Sequence, residues 1–278
     1  MNPAAQAFAR VADVYERARP SYPAEAVAWI VARSGLEPGA VVCDLAAGTG
    51  KLTRLLVPSG ARVIAVEPVP EMRLQLEAAV AGVEALDGTA ESLPLDDASV
   101  DCITVAQAFH WFDYGRALPE LERVIRPGGR LAVIWNVRDE EDPLVAAVTE
   151  VIAPFVPPEQ GVERPWRAPL EASTALGEIE HRAFPFEQLF DADGLVERVA
   201  SISWIARLDD EARNGALGRI RKLGSARPHR SHFLTSRRPS SASACRRAGT
   251  ELEEGLTKPR LCRRAIAPRR ERRSAKPS

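Results

Sequence analysis

Val41-Val42-Cys43-Asp44-Leu45-Ala46-Ala47-Gly48-Thr49-Gly50 passes from an apolar run into a loop of small residues and then into a helical segment, Lys51–Val57. The run follows the turn Glu37-Pro38-Gly39 and reads as a strand buried on both faces. Gly48 and Gly50 let the chain bend sharply and let a ligand approach with no Cβ in the way. Asp44 ends the strand, where a carboxylate can receive a ligand's ammonium group. Glu67 ends the next apolar run, 23 positions on, where an acid accepts both ribose hydroxyls of a nucleoside. The plainer alternative is an aspartate that caps the turn and a glutamate that is merely exposed.

Outward from this loop the same order repeats. Apolar runs at Ala40–Leu45, Arg62–Val66, Val83–Leu86, Val100–Ala106 and Arg130–Trp135 alternate with helical stretches near Lys51–Val57, Pro70–Val80, Tyr114–Val124 and Pro143–Ile152. This spacing predicts an α/β fold: a central, mostly parallel sheet with helices on both faces. Such sheets bind ligands beyond the carboxyl ends of their strands, so functional residues are expected just after each run. Upstream, apolar spacing predicts a helix over Ala4–Arg17, and Pro23 opens a second over Ala24–Arg33.

The 278 residues are 45% hydrophobic and 27% charged, a composition that excludes fibrous and disulfide-scaffold classes. Apolar runs are strand-sized, far short of the roughly 20 residues of a membrane helix, and Met1–Pro20 lacks the pattern of a secretory signal. The four cysteines (Cys43, Cys102, Cys245, Cys262) show no metal-ligand spacing, which predicts no metal site and a reducing cytoplasm. Net charge is uneven. Residues 226–278 carry 15 Lys/Arg against 4 Asp/Glu, leaving 22 basic and 34 acidic groups in the remainder. An acidic body argues against nucleic-acid binding, and the basic tail is the one feature that favours it.

The loop separates two kinds of nucleoside ligand. A dinucleotide loop wants a small residue three places after its second glycine, to pack around a pyrophosphate. Thr53 stands there, and a carboxylate at Asp44 sits poorly beside phosphates. An acid suits the cationic amino-acid end of S-adenosylmethionine better. Asp44–Gly50, Val66-Glu67-Pro68, Gly88-Thr-Ala-Glu-Ser-Leu-Pro94, Val100–Gln107 and Arg126-Pro-Gly-Gly-Arg130 together resemble, in order and spacing, the class I S-adenosylmethionine-dependent methyltransferases. The nearest likeness is to the small-molecule branch labelled methyltransferase type 11, over roughly Phe8 to Leu223.

The resemblance implies a Rossmann-like class I fold, with Asp44 and the backbone of Ala46, Gly48, Thr49 and Gly50 at the methionine part of the cofactor. It implies Glu67 and Pro68 at the ribose, Thr89 and Ala90 at the adenine edge, and Gln107 near the sulfonium. Tyr15, Arg19 and Tyr22 resemble the family's Y…RPxYP element, which closes over the cofactor. Two positions depart from the pattern. Ala46 stands where relatives carry glycine, an exchange that a negative φ would allow, and Thr89 replaces a common aspartate.

Gln107-Ala-Phe-His110-Trp111-Phe112-Asp113 follows the fourth strand, where an acceptor would meet the methyl group. His110 reads either as a general base or as a hydrogen-bonded wall of the pocket. Trp111 and Phe112 read as an apolar floor, and Pro154–Pro169 as an irregular cover loop. The implied reaction is transfer of a methyl group to a small-molecule acceptor, with no membrane partner. The rivals are an NAD(P)-dependent oxidoreductase and a cofactor-binding domain without activity.

Three segments follow: an N-terminal helical cover over residues 1–35, a methyltransferase domain over 36–224, and a basic tail over 225–278. The tail sustains no helical or strand period, which predicts disorder and a last strand missing or altered. With one choice of codons, His232–Ala242 reads two nucleotides out of phase as Leu-Pro-Tyr-Val-Ala-Ser-Thr-Val-Val-Cys. That reading points to a frameshift, which resequencing of the gene tests.

Overall fold

The computed structural model describes residues 21–157, 167–173, 176–226, 231–232 and 240–247. The expected helix over Ala4–Arg17 and the candidates Tyr15 and Arg19 lie outside them. In chain order the elements are α1 (Ala24–Ser34), β1 (Val41–Leu45), α2 (Thr53–Leu56), β2 (Arg62–Val66), α3 (Pro70–Ala79), β3 (Glu84–Leu86) and β4 (Val100–Ala106). There follow α4 (Tyr114–Val124), β5 (Ile125–Trp135), α5 (Pro143–Ile152), α6 (Arg167–Ala172), β6 (Leu176–Phe184) and β7 (Leu189–Phe190). Last come α7 (Ala192–Ala200), α8 (Ser203–Ala206), α9 (Asp210–Ser225), β8 (Ser231–His232) and β9 (Ser240–Arg247).

The main sheet has the order β3-β2-β1-β4-β5-β9-β6. Its first five strands are parallel, and β9 runs antiparallel to both neighbours. Both faces are apolar because alternate side chains of each strand enter different cores. Val42, Cys102, Ala132 and Ile134 pack with Ala26, Val27 and Ile30 of α1. Cys43, Leu45, Ile103, Val105, Leu131 and Val133 pack on the other side with Ala117, Leu121 and Val124 of α4. A third cluster joins α5, α7 and α9 through Val145, Val148, Leu195, Val199 and Ile220. Among the described residues, four helices begin at an aspartate whose side chain accepts an otherwise orphaned backbone N–H: Asp113, Asp142, Asp191 and Asp209. Among the described residues no helix is long and apolar enough to cross a membrane.

Strand β5 begins at Ile125, five residues before the expected Arg130, because Ile125 already pairs with Val100 ahead of a register shift. Gly129 lies within this stretch, where a Cβ would stand 2.7 Å from the carbonyl oxygen of Asp101. No other residue fits there without backbone movement.

The larger correction concerns the tail. Ser240–Arg247 forms β9, pairing with β5 from Arg130↔Arg246 to Trp135↔Ser241 and with β6 from Leu176↔Arg247 to Phe184↔Ser240. The expected disorder therefore does not hold for this segment, and the edge of β5 is not left unpaired. The last strand is present with an altered composition. Its ladder is made by main-chain groups, which any extended segment can supply to a strand whose N–H and C=O groups lack partners.

Candidate functional site

The carboxyl ends of β1 to β4 share one edge of the sheet, so the loops that follow them converge. β1 pairs with β2 as Asp44↔Ala65 and Leu45↔Val66, and with β4 as Asp44↔Thr104 and Leu45↔Val105. Parallel register therefore sets Asp44, Glu67 and Gln107 at neighbouring strand tips.

Asp44 is fully buried. Its Oδ2 accepts a hydrogen bond from Thr53 Oγ1 at 2.6 Å and its Oδ1 one from Thr104 Oγ1 at 2.9 Å. Each oxygen therefore has one partner inside the protein and keeps further acceptor capacity. Desolvation pushes this carboxyl up to about 6, against the downward pull of the two hydroxyls.

After β1 the chain turns through Ala46 (φ +54°), Gly48 (φ +58°) and Gly50 (φ +82°). Ala46 does not have the negative φ that would ease its standing in place of glycine. Its main chain is left-handed, because the donor from Ala47 N to Val66 O (3.2 Å) and that from Gly50 N to Ala47 O (3.0 Å) close the bend around it. A left-handed non-glycine residue costs about 1–2 kcal/mol, partly offset by the greater unfolded-state freedom of glycine. Ala46→Gly is therefore expected to raise the unfolding free energy by about 0.5–1 kcal/mol, read from the urea midpoint at unchanged slope.

Glu67 is 5% exposed and meets the loop directly. Its Oε2 accepts from Gly48 N at 2.8 Å and its Oε1 from Val69 N at 3.0 Å. Burial raises the carboxyl's pKa, while those two amides and the nearby Arg73 guanidinium pull it down. Arg73 Nη1 also donates to Glu67 O at 2.6 Å and to Asp87 Oδ1 at 3.0 Å, tying the ends of β2 and β3 together. Pro68 is half-buried, Thr89 exposed and Ala90 buried. Thr89 and Ser92 exchange backbone hydrogen bonds of 3.2 Å, which folds the segment back on itself.

Gln107 follows β4 with φ +58°, an uncommon geometry for a residue with a long side chain. Its N–H donates to Ile134 O at 3.0 Å and its Nε2 to Asn136 O at 3.3 Å. Asn136 Nδ2 donates in turn to Ser21 O at 3.0 Å, so the end of the N-terminal segment is tied to the tips of β4 and β5. His110 is half-buried in a 3₁₀ turn, Phe109–Trp111, with its ring 4.7 Å from that of Trp111. Beyond it a cavity of about 730 Å³ is lined by Trp111, Phe112, Asp113, Tyr114, Ala168, Pro169 and Ala172.

The structure thus gathers Asp44, Ala46, Gly48, Thr49, Gly50, Glu67, Pro68, Thr89, Ala90, Gln107 and His110 along one sheet edge. The sequence reading missed that Thr53 and Thr104 hold Asp44, and that Arg73 holds the main chain of Glu67. The hydroxyl at Thr104 carried one signal: a polar residue inside an otherwise apolar strand run. Arg73 carried none, because a surface arginine on an amphipathic helix is ordinary.

Comparisons with known proteins bear on the family and the fold. The family described as a methyltransferase domain matches residues 43–133. An uncharacterised methyltransferase of Mycobacterium tuberculosis is 40% identical over 221 residues, 80% of this chain and 86% of that protein. A ubiquinone/menaquinone biosynthesis C-methyltransferase of Hahella chejuensis is 36% identical over 129 residues, 43% of this chain and 51% of that protein. Among solved structures, one described as a candidate type II methyltransferase from Anaeromyxobacter dehalogenans superposes with TM-score 0.58 at 26% identity. It covers 83% of this chain and 97% of that one. The strand order, the glycine loop meeting Glu67, and this likeness over most of the chain lead to one conclusion: the chain is an enzyme of the methyltransferase family, with its Rossmann-like fold.

Proposed function

We propose that this chain binds S-adenosylmethionine across the tips of β1 to β4 and transfers its methyl group in line to a small-molecule acceptor. The family generally uses this cofactor. The observation that carries the reading is the bond from Gly48 N to Glu67 Oε2, which sets a buried carboxylate against a bend nearly free of side chains. A vicinal diol fits that carboxylate, since its hydroxyls supply donors to an acid whose ionised form is otherwise penalised by burial.

When bound, the cofactor supplies a methyl group already made electrophilic by its sulfonium. The protein's own task is to bind, align and keep water out. Glu67 would hold the ribose, the Ala46–Gly50 main chain the methionine portion, and Ala90 with Thr89 the adenine edge. Asp44 acts from behind the loop: its negative charge lies under the cationic end of the ligand while Thr53 and Thr104 keep it in place. Tyr15 and Arg19 remain expected contributors to closure over the cofactor. The aromatic walls at Trp111, Phe112 and Tyr114 favour an apolar acceptor, and His110 lies beside them to take its proton. A relative named for ubiquinone and menaquinone biosynthesis supports a small-molecule acceptor, as does the acidic body of the chain. The inactive-domain reading rested on an altered C-terminus; it predicts binding of S-adenosylhomocysteine without turnover of any acceptor, whereas the pairing of β9 with β5 and β6 supports an intact sheet.

Calorimetry with S-adenosylhomocysteine tests the cofactor: heat of binding is expected. Its absence, together with enhanced NAD(P)H fluorescence, would overturn the cofactor assignment. Once an acceptor is found by transfer of labelled methyl into small-molecule fractions, His110→Gln distinguishes base from wall. A base predicts a loss in kcat of about a hundredfold or more at unchanged S-adenosylhomocysteine affinity. A loss below about tenfold leaves His110 as pocket wall.

A further inference from the structure

In the segment between β3 and β4, residues 91–97 are held by hydrogen bonds from one helix. Arg123 of α4 donates from Nη1 to Leu95 O (2.9 Å) and Asp97 Oδ1 (2.7 Å), and from Nη2 to Leu93 O (3.3 Å) and Glu120 Oε1 (2.8 Å). Its Nε donates to Glu120 Oε2 at 2.9 Å, and Glu120 Oε1 also accepts from Leu93 N at 2.8 Å. At the other end of α4, Asp113 N donates to Glu91 Oε1 at 2.9 Å. One helix therefore grips residues 91–97 at both of its ends.

That grip reaches the nucleoside side of the site through close packing. A Cβ on Gly88 would stand 2.6 Å from Pro94 Cδ and 2.9 Å from Val66 Cγ1, so the segment is pressed onto the residue preceding Glu67. Ala90 and Leu93 are buried in the same cluster as Val66. A shift of Leu93–Leu95 cannot be absorbed there without moving Gly88–Ala90 or Val66.

We propose that Arg123 is a positioning residue for the nucleoside end of the cofactor, acting through residues 89–97. This rests on the proposed function, since it needs a nucleoside beside that segment. Charge alone would be a weak reason for the arrangement. The Arg123 side chain is 32% exposed and that of Asp97 79%, and such pairs contribute little to stability. The geometry supplies the stronger reason, because a planar fork reaches two backbone carbonyls and two carboxylates at once, whereas an ammonium group is a single point. Arg123→Lys is therefore not a conservative change.

The test is calorimetry at low temperature on folded protein, with S-adenosylhomocysteine and with adenosine, for wild type, Arg123→Ala, Arg123→Lys and Arg62→Ala. Arg62 pairs with Glu84 on the open surface and serves as the control. Arg123→Ala is expected to weaken both ligands by a similar factor, about tenfold or more, with Arg123→Lys recovering only part of it and Arg62→Ala binding as wild type. Affinity of Arg123→Ala within twofold of wild type, or a loss confined to S-adenosylhomocysteine with adenosine unaffected, overturns the inference. Should Arg123→Ala not fold, Glu120→Gln and Asp97→Asn carry the test, each expected to weaken adenosine at least about threefold, and unchanged binding in both overturns it. Wild type that binds neither ligand overturns the proposed function, and the inference with it. Normal wild-type binding with unaffected variants overturns the inference alone.

Discussion

Glu67→Ala is expected to weaken S-adenosylhomocysteine binding at least about tenfold, since a charge-assisted hydrogen bond removed from a buried site is worth on the order of 1.5–3 kcal/mol. The carboxylate does two things at once. In the proposed site it would offer the ribose an acceptor, and it pairs Gly48 N and Val69 N. Alanine leaves both amides without that partner, so the ligand-free protein should also melt earlier, by an amount corresponding to about 1–3 kcal/mol. Glu67→Gln separates the two roles. Its amide oxygen still accepts from a backbone N–H, so stability is expected to return more fully than affinity. Calorimetry together with thermal melts reads both. An alanine variant that binds S-adenosylhomocysteine within twofold of wild type removes Glu67 from the ribose and takes the nucleoside assignment with it.

Acid stability and cofactor affinity should both turn on Asp44. Its carboxyl ionises near 3.8 in an exposed chain and at about 6 in the folded protein, mainly because burial disfavours the charge. The folded state thus holds this proton more tightly than the unfolded chain. Its stabilising contribution is complete below about pH 4 and is lost as pH rises through 6, a change of about 3 kcal/mol. Glu67 shifts in the same direction for the same first cause. The neighbouring thiols do not interfere in this window: burial raises Cys43 well above its ordinary value and pushes Cys102 up to about 12. Glu120 works in the opposite sense, because its bond to Arg123 lowers its pKa and its contribution fades under acid. The difference between wild type and Asp44→Asn isolates the one group. Relative to Asp44→Asn, wild type should lose stability between pH 4 and 6. In the same window its affinity for the cationic cofactor should rise with pH, as Asp44 becomes charged. Parallel stability curves for the two proteins would remove Asp44 as the source.

Much of this site was readable because its cause is local. An apolar run ending in an acid, a loop that needs left-handed main chain, and a second acid at the end of the next strand are each written in contiguous residues. The parallel sheet follows from alternation of apolar runs and helices, and the observed strands Arg62–Val66 and Val100–Ala106 have the bounds read from the sequence. Arg123 was not readable in this way. Its partners are Leu93, Leu95 and Asp97, nearly 30 positions upstream, and no period links them to α4.

Two places show where local reasoning stops. Asp44 looks, along the chain, like a carboxylate offered to a ligand. Its surroundings come from Thr104 on a neighbouring strand and Thr53 on the following helix, which each give it one hydrogen bond and help enclose it. Ser240–Arg247 contains no β-branched or aromatic residue, so nothing in its composition favours a strand. It becomes one because β5 and β6 each present an open ladder of main-chain donors and acceptors with room for an eight-residue strand between them. Propensity and pattern, which depend on neighbours along the chain, were enough to name the layers of the fold and the glycine loop proposed to meet the ligand. Pairing, burial and the protonation of a buried acid depend on neighbours in space, and those exist only once the sheet has assembled.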